Sequence, residues 1–141
     1  MPLGNTEPFL LQVKKQNKSN AAQILLGKVA VRDTAITPDG WKQCNAATAN
    51  GPFCVAVNSL YATTDTFFSA AFAPSEVIVK AGGTIDPGAY VKTDANGDVI
   101  AAVVGTDTEV QIVGRYIAKE GEIDASTCAA SDNIRVRLGL T

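Results

Sequence analysis

Apolar residues along this chain come in short runs, and turn-forming residues separate the runs roughly every ten positions. The clearest run is residues 134–138, where strict alternation places Ile134, Val136 and Leu138 on one face and two arginines on the other. The i, i+3, i+4, i+7 spacing of an amphipathic helix fails beyond about two turns in any window. The pattern therefore predicts many short strands and no long helix.

Nine segments have the apolar content and the flanking turns of a strand. They are residues 24–32, 40–44, 53–60, 66–72, 77–80, 89–93, 99–104, 110–118 and 134–138. Two turns have specific chemistry: Thr37-Pro38-Asp39-Gly40 supplies proline and glycine where a turn needs them, and Asn96-Gly97 suits a type I′ hairpin. We predict an all-β fold, a small β-barrel or β-sandwich formed by residues 23–141 as a single domain.

Parts of the pattern repeat along the chain. Residues 77–82 match residues 134–139 position by position at an offset of 57. Asp39-Gly40 matches Asn96-Gly97 at the same offset, and Val31-Arg32 matches Val91-Lys92 at an offset of 60. Two interpretations remain open: two similar half-domains that close on one another, or the chance similarity of valine-rich strands between turns.

Residues 1–22 differ from the rest of the chain and are predicted to form an extended N-terminal arm. They combine two prolines with the apolar run Phe9-Leu10-Leu11 and a polar, basic run that includes Lys14, Lys15 and Lys18. Such a run is typical of a solvated, mobile terminus. The alternative is an arm that becomes ordered against a partner, anchored by the three apolar residues.

Composition excludes several classes of protein. With 46% hydrophobic and 18% charged residues, the 141-residue chain is expected to fold around a core. A net charge of −2 gives no basic surface for nucleic acid. No basic, apolar leader opens the sequence and no run of about eighteen apolar residues follows, so we expect neither a signal peptide nor a membrane span.

The candidate chemistry is sparse because the sequence contains no histidine. Nucleophile pairs that use histidine and zinc sites that contain it are thereby excluded, and we expect no enzymatic activity and no cofactor. Cys44, Cys54 and Cys128 are an odd number of cysteines. Cys44 and Cys54 flank a turn and could face each other across a hairpin, although free buried thiols are the favoured interpretation.

Phe67 and Phe68 lie in the most aromatic stretch of the chain. If this segment is a strand, the two rings point to opposite faces of the sheet. One of them is then a candidate for a partly exposed protein contact, and the alternative is a loop that folds back over the core.

Residues 77–102 resemble the capsid cement protein family of tailed bacteriophages. The features that carry the resemblance are the turn Gly82-Gly83, the strand from Gly88 to Lys92, the polar hairpin from Asp94 to Asp98 and the alanine-rich return strand 99–104. The resemblance extends over residues 77–140. The chain departs from the family pattern at residues 121–132, which form a longer loop, and its first half matches only weakly.

The resemblance implies a β-tulip-like domain on the outer surface of a phage head, made in the host cytoplasm. Such a protein binds the major capsid protein, as a homotrimer in many cases, and needs no cofactor. Our candidate contact residues are Phe9, Leu10, Leu11, Lys14, Lys15, Lys18, Phe67 and Phe68. The alternative is a carbohydrate-binding or receptor-facing adhesive β-sandwich, which would need exposed aromatic rings, whereas the chain has a single tryptophan, Trp41.

Overall fold

The structure, a computed structural model, describes residues 13–18, 23–34, 40–58 and 64–140. These residues form an all-β protein, as the sequence predicts. The strands are β1 Val13–Lys18, β2 Val29–Arg32, β3 Gly40–Gln43, β4 Phe53–Ala56, β5 Phe67–Ala71, β6 Glu76–Lys80, β7 Tyr90–Thr93, β8 Val99–Ala101, β9 Ile112–Lys119 and β10 Asn133–Leu138. A single 3₁₀ turn, Glu109–Gln111, precedes β9 in this part of the chain.

The first five strands form a closed ring in the order β1-β3-β2-β4-β5. The ring closes because β1 pairs with β5 on one side, antiparallel, and with β3 on the other, parallel. The second five strands form a sheet in the order β6-β10-β9-β7-β8. A parallel bridge between Ala81, directly after β6, and Val99, the first residue of β8, brings the two ends of this sheet together.

The two halves have the same topology, strand for strand. In each, the first strand is parallel to the third and antiparallel to the fifth, and the second strand lies between the third and the fourth. Trp41 pairs with Arg32 of β2 and with Lys18 at the end of β1. Val99 pairs in the same way with Thr93 of β7 and with Ala81 directly after β6, so Trp41 and Val99 occupy equivalent places. Of the two interpretations that the sequence leaves open, two similar halves is the one that agrees with this topology, with residues 13–71 and 76–138 as the halves.

The sequence matches behind that prediction are of unequal value. Val31-Arg32 and Val91-Lys92 lie on the equivalent strands β2 and β7. The match between residues 77–82 and 134–139 instead relates β6 to β10, which are neighbours in one sheet, with Val77 opposite Val136. That match reflects two buried strands of similar composition and does not mark the two halves.

Two hydrophobic clusters explain the valine-rich and alanine-rich runs. One fills the first ring and includes Trp41, Cys54 and Phe68, and the other lies between the halves and includes Val29 and Val55. Successive residues of a strand point to opposite faces, so β4 sends Cys54 into the ring and Val55 into the shared core. Strands buried on both faces need continuous apolar runs, which is why only a few segments alternate.

The largest difference from the sequence prediction is β1. Residues 13–18 were assigned to the N-terminal arm because their composition is polar and basic, yet they form a strand with partners on both sides. Pairing within a closed ring outweighs a weak intrinsic preference for strand. The other residues of the predicted arm, 1–12 and 19–22, lie outside the described residues.

The hairpin between β7 and β8 is confirmed, but its turn differs from the predicted type. A type I′ turn needs positive φ at both central residues, whereas only Gly97, at +77°, has it here. The Asp94 carboxylate instead accepts hydrogen bonds from the backbone N–H groups of Asn96 and Asp98, at 2.7 and 3.0 Å. The predicted turn at residues 37–40 lies outside the described residues except for Gly40.

All three cysteines are free and buried, and Cys44 and Cys54 belong to different clusters. Burial raises the pKa of the Cys44 thiol to about 11 and also raises those of Cys54 and Cys128. At pH 8 the native protein is therefore expected to react slowly with a thiol reagent such as Ellman's reagent, because few thiolates form. In denaturant, three thiols per chain should react; a count of one would contradict this assignment.

Among the described residues, no helix is long and apolar enough to cross a membrane. The same residues contain no group of three or more cysteine or acidic side chains placed to hold a metal ion.

Candidate docking surface

Several large apolar side chains of the second half are exposed at one end of the sheet. Tyr90, Val103, Val104, Val110 and Leu140, here called the valine surface, are 41%, 53%, 99%, 57% and 49% exposed. All except Val110 line a shallow depression of about 510 Å³. Apolar side chains that gather in this way, unlike scattered ones, make this end of the sheet a candidate for protein contact.

The valine surface is built on the connection between β8 and β9. β8 ends at Ala101 and the 3₁₀ turn starts at Glu109, so Val103 and Val104 lie on a loop beyond the sheet. The Asp107 carboxylate holds this loop, since it accepts hydrogen bonds from the Val103 N–H at 2.6 Å and from Lys92 Nζ at 2.9 Å. The exposed valines therefore lie on a loop that two hydrogen bonds to Asp107 hold in place.

The loop is expected to loosen in acid. Its hydrogen bond from the Val103 N–H, together with Lys92, lowers the pKa of Asp107 from its ordinary value. Since the folded-state pKa is the lower one, the stabilisation is complete above the ordinary value, near 4, and is lost as the pH falls through the folded-state pKa. Amide hydrogen exchange at Val103, followed by NMR, should accelerate below that pH beyond its intrinsic dependence. Asp107→Asn should remove this transition; an identical pH profile in the variant would contradict the assignment.

The residues that follow β10 border one side of the valine surface. The Tyr90 hydroxyl donates a hydrogen bond to the Leu140 carbonyl oxygen at 3.2 Å. The Arg115 guanidinium lies 5.2 Å from the centre of the Tyr90 ring, and its Nε donates to the Gly88 carbonyl oxygen at 3.2 Å. These contacts fix the tyrosine ring in place while leaving part of it in water.

A second depression, here called the inter-half groove, runs beside the valine surface and has a volume of about 710 Å³. The first half contributes Trp41 and Phe53 to its lining and the second contributes Val110, while Phe72 directly follows the first half and Leu140 lies two residues beyond the second. The rings of Trp41 and Phe72 meet edge to face, with centres 5.6 Å apart. Because Glu109, Ile112 and Leu140 line both depressions, the groove and the valine surface form one continuous apolar region.

Trp41 occupies the wall of the groove without forming a platform. Its side chain is 2% exposed, and the Arg32 guanidinium lies 5.1 Å from the ring centre. The indole N–H is buried and has no hydrogen-bond partner among the described residues. A buried ring cannot stack on a sugar, so Trp41 does not supply what the adhesive alternative needs.

The contact residues predicted from the sequence are not gathered at this region. Phe9, Leu10 and Leu11 lie outside the described residues. Lys14 and Lys15 pair with Ala70 and Ser69 through the β1 backbone, and their side chains are not described. These five remain predictions.

For the other three predicted contacts the structure gives a position. Phe67 is 47% exposed, while Phe68, which points the other way, is 1% exposed inside the first ring. Lys18 is 4% exposed, and burial lowers its pKa against the opposing effect of Asp65. Phe68 and Lys18 are therefore buried in this structure, and Phe67 keeps an accessible ring at the opposite end of β5 from the groove.

Sequence reasoning missed the valine surface because it assigned these valines to strands. Residues 99–104 and 110–118 were predicted as strands, whereas the strands end at Ala101 and begin at Ile112. A signal was present in the sequence: Val103-Val104 are followed by Gly105-Thr106-Asp107, a run of turn formers. Two adjacent valines next to such a run fit a loop as well as they fit a strand.

No protein-family model and no curated protein sequence matches this chain. In structure, the chain is similar to the N base of the head fibre gp8.5 of bacteriophage phi29, with a TM-score of 0.60. The likeness covers 91% of this chain and 93% of that one at 11% sequence identity. At this identity the likeness shows a shared fold.

Proposed function

We propose that this chain is a structural protein of a phage head, and that it acts as a cement or decoration protein on the outer surface. In that role it binds the major capsid protein and stabilises the contacts between neighbouring subunits. The observation that carries the proposal is the likeness to a head fibre base along almost the entire length of both chains. The resemblance of residues 77–140 to capsid cement proteins points the same way.

The physical character of the molecule fits a contact protein. The valine surface offers apolar side chains on a fastened loop, so binding would order little additional chain. A sequence without histidine fits a role that requires no proton transfer near neutral pH. The proposal therefore includes no enzymatic activity and no cofactor.

Self-association belongs to the same proposal. A homotrimer would present three valine surfaces to one head, and linked contacts bind far more tightly than single ones. Synthesis in the host cytoplasm followed by addition to assembled heads completes the proposed role.

The test is binding of the purified full-length chain to heads assembled without it. We expect saturable co-sedimentation, added density on the outer surface by electron microscopy, and heads that resist heating better. Native mass spectrometry of the free chain gives its oligomeric state. Absence of binding to heads, or density confined to the tail, would overturn the proposal; a monomer that still binds would remove only the trimer.

A further inference from the structure

We propose that the inter-half groove is the binding site for the segment Phe9-Leu10-Leu11 of the same chain. The inference does not rest on the proposed function. It gives this segment a different partner from the capsid contact that the sequence analysis predicts.

The groove has the character of a site for apolar side chains. Trp41, Phe53 and Phe72 line it together with Val110 and Leu140, and Val110 and Leu140 are about half exposed. Apolar surface left in water is unfavourable relative to burial. An apolar occupant would bury these side chains.

The register of β1 leads the segment to this groove. Val13, the first residue of β1, lies opposite Ala71, the last residue of β5, and the two strands are antiparallel. The chain before Val13 therefore leaves the ring in the same direction as Phe72 and Ala73, both of which line the groove. Gln16 of β1 also lines it, so β1 itself forms part of the wall.

The distance along the chain favours the segment of the same molecule over that of a neighbour. Leu11 is two residues from Val13 and Phe9 is four, which at about 3.3 Å per residue spans roughly 13 Å. Three consecutive large apolar residues lie within this reach. A segment from a second copy would bring the same side chains at the additional cost of association.

The experiment is a disulfide cross-link in the full-length chain carrying Leu10→Cys and Val110→Cys. Val110 lines the groove from the second half of the chain, so its approach to residue 10 reports docking in the groove. The control pairs Leu10→Cys with Val104→Cys, which lies on the same loop but outside the groove and is 99% exposed. Under mild oxidation we expect the first pair to close within one chain about tenfold faster than the control, because docking raises the effective concentration.

Two readouts decide between the occupants. Equal rates in the two pairs would overturn the inference. A cross-link formed between chains, in a mixture of the Leu10→Cys and Val110→Cys single variants, would also overturn it and assign the groove to a second copy.

Binding to heads distinguishes this inference from the proposed function. Cross-linking together with binding supports both. Cross-linking without binding supports the groove assignment alone, and binding without cross-linking overturns the groove assignment alone.

Discussion

A chain carrying Val104→Asp is expected to bind phage heads about tenfold more weakly than the native chain. Burial of a valine side chain contributes about 1.5 kcal/mol, which corresponds to roughly one factor of ten in affinity. Val104 is 99% exposed in the free protein and does not line the inter-half groove, so the fold and the groove should remain intact. Val103 is left unchanged because a carboxylate there would lie close to Asp107, which holds the loop.

The chain provides a matched control for this experiment. Ile123 is 97% exposed but follows the other end of β9, about 24 Å from Ile112 along that strand. Ile123→Asp should bind heads as the native chain does, and co-sedimentation with heads measures all three proteins. Undiminished binding of Val104→Asp would remove the valine surface from the proposal. A loss confined to Ile123→Asp would move the contact to the opposite end.

Replacement of Gly114 by alanine is expected to cost the fold about 3 kcal/mol or more. Gly114 lies in β9, paired with Val91 on one side and Leu138 on the other, close to irregularities in both pairings. A Cβ at this position would lie 2.1 Å from the Arg137 carbonyl oxygen, which is backbone and cannot rotate away. The strands must separate to admit it, and overpacking of this kind costs 1–3 kcal/mol or more.

Thermal unfolding measures this effect. For a domain of this size, about 3 kcal/mol corresponds to a fall in Tm of roughly 10 °C. Gly83→Ala is the control, because a Cβ there would meet only Ile100 Cγ2 at 3.9 Å and its backbone does not have positive φ. It should change Tm by no more than a degree or two. An unchanged Tm in Gly114→Ala would show that β9 and β10 are not packed as described.

The sequence was sufficient to predict nine of the ten strands because each of those nine has an apolar face that must be buried. The tenth, β1, has the sequence Val-Lys-Lys-Gln-Asn-Lys, and it is a strand because of the backbone partners offered by β3 and β5. Those partners come from 23 or more residues later in the chain, since Lys18 pairs with Trp41. Local pattern cannot reveal a pairing that the closed ring imposes.

The candidate site was less predictable than the fold for a related reason. Alternation along a strand identifies side chains that must be buried, and Phe68 is buried on one face of β5. No comparable sequence pattern identifies an exposed valine such as Val104. The inter-half groove combines residues as distant in sequence as Trp41 and Leu140. Such a site depends on how the two halves meet, which alternation within single strands does not specify.

The closed ring of the first half also governs how copies of the chain behave at high local concentration. A sheet edge is a template on which another chain can add a strand, and proteins must blunt such edges to remain soluble. With β1 joined to β5, the first ring has no edge to offer. Neighbouring copies therefore cannot add a strand to this ring, and any contact that the first half makes with another protein has to come from its side chains. Single substitutions can alter such a contact.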